Sequence, residues 1–171
     1  VLTMKKNIFQ IIGLLLLLPL FSGCNDSDDV AAIFTGKTWK LTYITADGRH
    51  QMADFWDNEA ERKKSMELLE KKGNYNVEFE GITDGDQIKG NIGGSVIELP
   101  LTGTWIANGK DNKFKANITD GKDGGDKLAK NFLEGLRNAT SYEGDQKNLY
   151  LLYKPVGSQQ TYRMAFHVIS N

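Results

Sequence analysis

Tyr75-Asn76-Val77-Glu78-Phe79-Glu80 is the stretch on which the fold turns. Tyr75, Val77 and Phe79 alternate with Asn76, Glu78 and Glu80, so an extended backbone sends the apolar set to one face and the polar set to the other. That is a half-buried strand, and a strand with one wet face belongs to an antiparallel sheet. Gly81 is expected to stop it. The same period recurs on both sides. Upstream, Lys37 to Thr45 puts Trp39, Leu41 and Tyr43 on one face. Downstream, Gln87 to Gly94 reads as a short strand fraying into glycines, and Asn112 to Thr119 turns Phe114, Ala116 and Ile118 inward. Ser95 to Ala107 is too long for one flat strand, and Pro100 and Gly103 are expected to divide it. Asn148 to Tyr153 is apolar on both faces, as a covered strand would be, and Tyr162 to Val168 alternates again, with Pro155 to Ser158 connecting the two. Eighteen glycines and three prolines fit a chain of many turns. The class is mainly β (α+β): an antiparallel sheet or barrel-like domain with one or two packed helices.

Two helices interrupt the strands. Lys127 to Asn138 is strongly amphipathic, with Leu128, Phe132 and Leu136 stacked four residues apart and Ala129 and Leu133 beside them. Such a stripe is expected to fill whatever opening the sheet leaves. The other helix is read over 54–72, with Asp54 as N-cap and Gly73 after its end. Its middle, Glu61-Arg62-Lys63-Lys64, is fully charged, so it reads as an exposed helix docked at its ends.

The beginning of the chain is an address. Val1-Leu2-Thr3 lacks the character of one, and Met4 reads as the true start. Lys5 and Lys6 precede an apolar run to Phe21 and a small-residue cleavage region, which is the layout of a secretory signal. The uninterrupted apolar part, Ile11 to Leu18, is shorter than the roughly 17 to 25 residues that cross a bilayer. Phe21-Ser22-Gly23-Cys24 resembles the lipobox of bacterial lipoproteins, with Phe21 where Leu is usual. The resemblance implies acylation of Cys24 and a membrane partner through it. Asn25-Asp26-Ser27-Asp28-Asp29 is similar to the acidic export tag of surface lipoproteins in the Bacteroidetes. The expected organisation is a signal peptide over 1–23, a lipidated cysteine and acidic tether over 24–32, and one β-rich domain over 33–171. The expected location is the outer membrane, lipid-anchored and surface-exposed, with the periplasmic face as the alternative. Cys24 is the single cysteine, so disulfides are excluded.

A second resemblance concerns the domain. Phe34-Thr35-Gly36-Lys37-Thr38-Trp39-Lys40-Leu41 looks like the opening strand of META/HslJ-type domains. So does the ending, where Asn131 to Ala139 is followed by Tyr142-Glu143-Gly144-Asp145 and Leu149-Tyr150-Leu151. The middle lacks that family's Gly-Cys-Asn motif, and the helix at 54–72 looks like an insertion. Gly36 to Trp39 and Gly103-Thr104-Trp105 are also similar to the opening of lipocalin-like barrels. Both families imply a small antiparallel β structure and neither supplies a catalytic residue.

Candidate chemistry is sparse. After residue 23 the chain carries 19 basic and 22 acidic side chains, a dispersed balance with no basic face for nucleic acid. His50 falls in a turn and His167 on a strand face opposite Tyr162, Met164 and Phe166, outside any local metal or triad spacing. No cofactor and no catalysis are expected. Asp120, Asp123 and Asp126 could wrap a cation, but their spacing misses the calcium-loop pattern, and the alternative is a turn in which Asp126 caps the following helix. Glu78 and Glu80 place two carboxylates in reach of a sugar or cation, but they read first as a plain solvated strand face. Phe55 and Trp56 are candidates for a cavity mouth, with Trp105 as a further ligand-binding candidate. Two functions remain open: a binding module for an envelope protein, glycan or hydrophobic ligand, or a structural, stress-related lipoprotein with no ligand pocket. A lined cavity would favour the first and an interior filled by Leu128, Phe132 and Leu136 the second.

Overall fold

The computed structural model describes residues 27–46 and 48–169. The signal-peptide residues, the lipobox Phe21, Ser22 and Gly23, and Cys24 lie outside the described residues. Three helices, α1 (Ser27–Phe34), α2 (Glu59–Glu70) and α3 (Lys127–Asn138), accompany eight strands: β1 (Thr38–Ala46), β2 (Asn76–Asp84), β3 (Gln87–Ser95), β4 (Pro100–Asn108), β5 (Phe114–Asp120), β6 (Ala139–Gly144), β7 (Asn148–Tyr153) and β8 (Tyr162–Ile169). They form one antiparallel sheet in the order β5-β4-β3-β2-β1-β8-β7-β6. Because β8 returns beside β1, this is a ring of sequential hairpins cut between β5 and β6. At the cut the edges touch through a single bridge, Lys113 to Ser141, and the Tyr142 N–H donates to the Asn112 carbonyl at 3.0 Å. The sheet is barrel-like and not closed. α3, which links the two cut edges in sequence, lies against β5, β7 and β8.

The sheet curls where glycines let strands approach. A Cβ on Gly90 would stand 2.0 Å from the Glu80 carbonyl oxygen, so no other residue fits there without moving the backbone. On α3 a Cβ at Gly135 would meet the Met164 Sδ at 2.5 Å, so this turn of the helix lies directly against a side chain of β8.

The interior is filled from two sides. On α3, Leu128, Ala129, Phe132, Leu133, Gly135 and Leu136 are buried, and the Phe132 ring stands 5.7 Å from Tyr75 and 6.3 Å from Phe166. From the other side comes α1, in a place read as flexible tether. Its Val30, Ile33 and Phe34 are all buried. The Phe34 ring lies 5.0 Å from Phe79, 4.8 Å from Trp105, 5.6 Å from Phe114 and 5.0 Å from Tyr142. Ring pairs of this kind contribute about 0.5–1.5 kcal/mol each beyond their burial. Residues 27–32, expected as tether, therefore belong to the folded body, because three apolar side chains within five residues find an aromatic socket.

Other local expectations shift for identifiable reasons. A bulge between Leu41 and Tyr43 slips β1 by one residue, so Ile44 replaces Tyr43 in the core and Tyr43 stands 36% exposed. Gly81 does not end β2, which runs on to Asp84 before the turn at Gly85 and Asp86. The division of Ser95 to Ala107 falls at 96–99: Pro100 opens β4, where its missing N–H costs little, and Gly103 only marks a bulge against β5. α2 begins later than read. Asn58 is its N-cap, with Oδ1 accepting the Glu61 N–H at 3.0 Å, while Asp54 sits upstream in an extended segment whose Ala53 N–H donates to the Ile44 carbonyl. Lys71, not Gly73, caps its end. Ala139 to Gly144, which shows no strand period in sequence, is strand β6, and Phe34, placed by resemblance in the opening strand, ends α1.

Candidate functional site

Two of the three aromatic candidates are structural. Trp105 is buried and its indole N–H donates to the Glu80 carbonyl at 2.9 Å. Trp56 is buried and its indole N–H donates to the Ser65 Oγ at 2.7 Å. Phe55 reaches a surface depression of about 400 Å³ that it shares with Lys130, Asn131 and Glu134, and Trp105, though buried, lines another on the outer face of the sheet. Its ring rests 5.7 Å from Trp56 and 6.1 Å from Tyr162. Nearby, the Tyr153 hydroxyl is buried without a hydrogen-bond partner. Burial, reinforced by the charge of Glu134, pushes its ionisation well above the ordinary range.

The three aspartates separate. Asp120 is exposed at the end of β5, and Asp123 accepts the Gly125 N–H in the turn at 2.8 Å. Asp126 is buried and engaged on both oxygens. Its Oδ1 accepts the Ala129 N–H at 2.8 Å, capping α3, and the Tyr75 hydroxyl at 2.9 Å; its Oδ2 accepts the Ser65 hydroxyl at 2.5 Å. Burial and the adjacent carboxylate push the Tyr75 phenol far upward, so it stays a donor. Trp56, Ser65, Tyr75 and Asp126 thus form a satisfied polar knot pinning α2 and α3 to β2. Among the described residues no three His, Cys, Asp or Glu side chains gather as metal ligands would. His50 is exposed, and the His167 Nδ1 sits 2.7 Å from the Thr42 Oγ1 on the outer face of the sheet.

With the interior occupied by α1 and α3, concavity lies on the outer face of β2 to β5. Register places Lys89, Ile106 and Lys115 opposite one another across β3, β4 and β5, and Asn91, Thr104 and Asn117 form the next row. At the usual strand spacing such a row is about 10 Å wide. Three depressions follow these rows. The first, about 680 Å³ at the cut between β5 and β6, is edged by Lys113, Lys115, Arg137, Asn138 and Thr140, with Ile106 and Phe114 beneath. The second, about 530 Å³, holds the two rows just named and shares Ile106 and Lys115 with the first. The third, about 480 Å³, shares Asn91 and Thr104 with the second and ends at Glu78 and Glu80. One continuous groove therefore runs from a basic end through an amide and hydroxyl centre to an acidic end.

Pairing along the groove is uneven. Lys89 is held by Asp84 at 2.7 Å, Lys113 by Asp111 at 2.6 Å, and Glu78 accepts the Thr38 hydroxyl at 2.5 Å. Among the described residues Lys115 and Arg137 have no acidic partner within 4.0 Å. No linear motif announces this groove, because its residues come from six elements and each is an ordinary outward position; the alternating polar residues of β3, β4 and β5 are its one trace in the sequence.

The family described as "Domain of unknown function (DUF4847)" matches residues 25–168, and the chain belongs to that family. Among solved structures it is similar to the crystal structure of a DUF4847 family protein from Bacteroides vulgatus ATCC 8482, at 25% identity and a TM-score of 0.57. That match covers 80% of this chain and 96% of the other. No curated protein matches the chain.

Proposed function

We propose that this member of the DUF4847 family is a lipid-anchored protein of a bacterial outer membrane, displayed at the surface, whose domain recognises a partner through the outside of its sheet and transforms nothing. The interior filled by Leu128, Phe132 and Leu136 favours a domain with no internal ligand, as a structural lipoprotein would have; one observation carries the recognition reading instead, the groove on the convex side, which stays open and partly unpaired. A hydrophobic molecule carried inside, as lipocalin-like barrels imply, loses support from that filling, although the ring order of the strands keeps the topological likeness to such barrels. The anchor is supported by the Lys5-Lys6 start, the short apolar run and Phe21-Ser22-Gly23-Cys24. Two or three acyl chains on Cys24 would suffice for stable attachment at about 0.8 kcal/mol per buried methylene.

Two measurements test the reading. Growth with an alkyne analogue of palmitate should label the wild-type chain and not Cys24→Ser; equal label in both ends the anchor. A photo-crosslinking residue at position 117, in the groove, should trap a cell-envelope component on intact cells, and the same residue at position 64, on the exposed side of α2, should not. Crosslinks at 64 alone would leave the domain without a recognition role on this face.

A further inference from the structure

We infer that the groove over β3, β4 and β5 binds an acidic polysaccharide, whose carboxylate or sulfate groups seat between Lys115 and Arg137 and whose hydroxyls lie along Asn91, Thr104 and Asn117. The inference rests on the recognition reading above and not on the lipid anchor.

Three features select this chemistry. First, the chain as a whole is slightly acidic, with a net charge of −1, yet its groove ends in three cations, Lys113, Lys115 and Arg137, against the one carboxylate of Asp111. Lys115 and Arg137 are exposed and lack acidic partners among the described residues, so an incoming anion breaks no ion pair to reach them. An arginine beside a lysine offers a planar fork and a point charge to one oxyanion.

Second, the centre of the groove is built of side-chain amides and a hydroxyl. Asn91 and Asn117 can each donate and accept, as vicinal sugar hydroxyls require, and Thr104 does the same between them. Third, the apolar surface in the groove is a floor, with Ile106 and the edge of Trp105 between the polar rows, on which the face of a sugar ring can rest. The exposed large hydrophobic side chains among the described residues are Tyr43, Ile82 and Val156, and none of them edges the groove. A helix or an acyl chain gains affinity by inserting large side chains or methylenes into apolar pockets, whereas a hydrated polymer is held by the charge and hydrogen-bonding groups that rim this one. The groove spans three strands, room for more than one sugar, and its far end at Glu78 and Glu80 orients the polymer with its acidic groups at Lys115 and Arg137.

The test uses the full chain, purified from whichever cell fraction carries it, and calorimetric titration with four polymers: polygalacturonate, chondroitin sulfate, dextran and poly-L-glutamate. At least one of the two acidic glycans should bind, at least tenfold more tightly than dextran or poly-L-glutamate, and added salt should weaken that binding. Lys115→Ala with Arg137→Ala should lower the affinity at least tenfold, and Asn91→Ala with Asn117→Ala should lower it by a smaller factor. Lys63→Ala with Lys64→Ala removes the same charge from the exposed side of α2 and should change nothing. Thermal melts of each variant check that it folds.

Failure of both acidic glycans to bind overturns the inference, as does poly-L-glutamate binding equally well or the Lys63 and Lys64 pair mattering as much as the groove pair. If the glycans fail while the crosslinker at position 117 still traps an envelope protein, the ligand class falls and the recognition reading survives. If the glycans bind and Cys24→Ser keeps its label, the anchor alone falls.

Discussion

Helices α2 and α3 are both 12 residues long and meet through Ser65 and Asp126, yet they are held by opposite means. α3 buries six residues in the core of the sheet. α2 buries two, Ser65 and Leu69, and leaves Arg62, Lys63 and Lys64 in water. One helix is fixed by dispersion and area, the other by a handful of polar contacts at its flank and its end. The difference teaches that equal lengths of helix can carry unequal shares of stability, and that the lighter one is positioned through hydrogen bonds to the heavier.

The sharpest way to break this comparison is Phe132→Ala, which empties the centre of the α3 stripe. It should cost about 3–5 kcal/mol in urea unfolding, and a loss below about 1 kcal/mol would mean that α3 lies outside the core. Asp126→Ala should come next, at about 2–4 kcal/mol: it removes the α3 cap and strands the buried Ser65 and Tyr75 hydroxyls. Proteolysis under native conditions should then cut α2 before α3, and simultaneous cleavage would show that the knot does not hold α2.

A third prediction concerns the end of α2. The Lys40 ammonium donates to the carbonyls of Lys71 at 2.8 Å and Asn74 at 2.5 Å, and burial pulls its ionisation down from 10.5 to about 8. Between pH 8 and 10.5 the unfolded chain therefore holds a proton that the folded chain has released, so stability contributed at this site rises with pH across that window. The difference in unfolding free energy between wild type and Lys40→Met should grow in favour of wild type from pH 8 to 10.5. A flat difference would show that Lys40 keeps its proton in the fold. The smallest effect belongs to Lys64→Ala on the solvent side of α2, where chemical unfolding should shift by less than about 0.5 kcal/mol.

Much of the fold is written locally. The alternation of Asn76 to Glu80 and Phe114 to Thr119 and the four-residue spacing of Leu128, Phe132 and Leu136 each express a physical period, 2 for a pleated strand and 3.6 for a helix, and each survives into the structure. Tyr75, read as part of the first, is buried just ahead of β2 with a φ of 48°. The two failures that matter had no period to read. α1 spans eight residues and opens with acids, so Val30, Ile33 and Phe34 declare themselves only when Phe79, Trp105, Phe114 and Tyr142 surround them. β6 is an edge strand of mixed composition, made extended by its pairing with β7. The candidate site was hidden more thoroughly. Asp126 was legible as a cap because capping is a contact three residues long, but Lys115, Arg137, Asn91 and Asn117 are unremarkable in sequence and become a site through strand register alone.

The sequence by itself thus determined the class of fold, the inward face of most strands and the helix that fills the sheet, because each depends on neighbours a few residues away. Only the tertiary structure decided that the early acidic segment becomes a plug, that a bulge turns Tyr43 outward, and that the open concavity lies on the convex side. Those outcomes depend on which distant side chains meet, and a meeting across 40 or 80 residues of chain leaves no periodic trace.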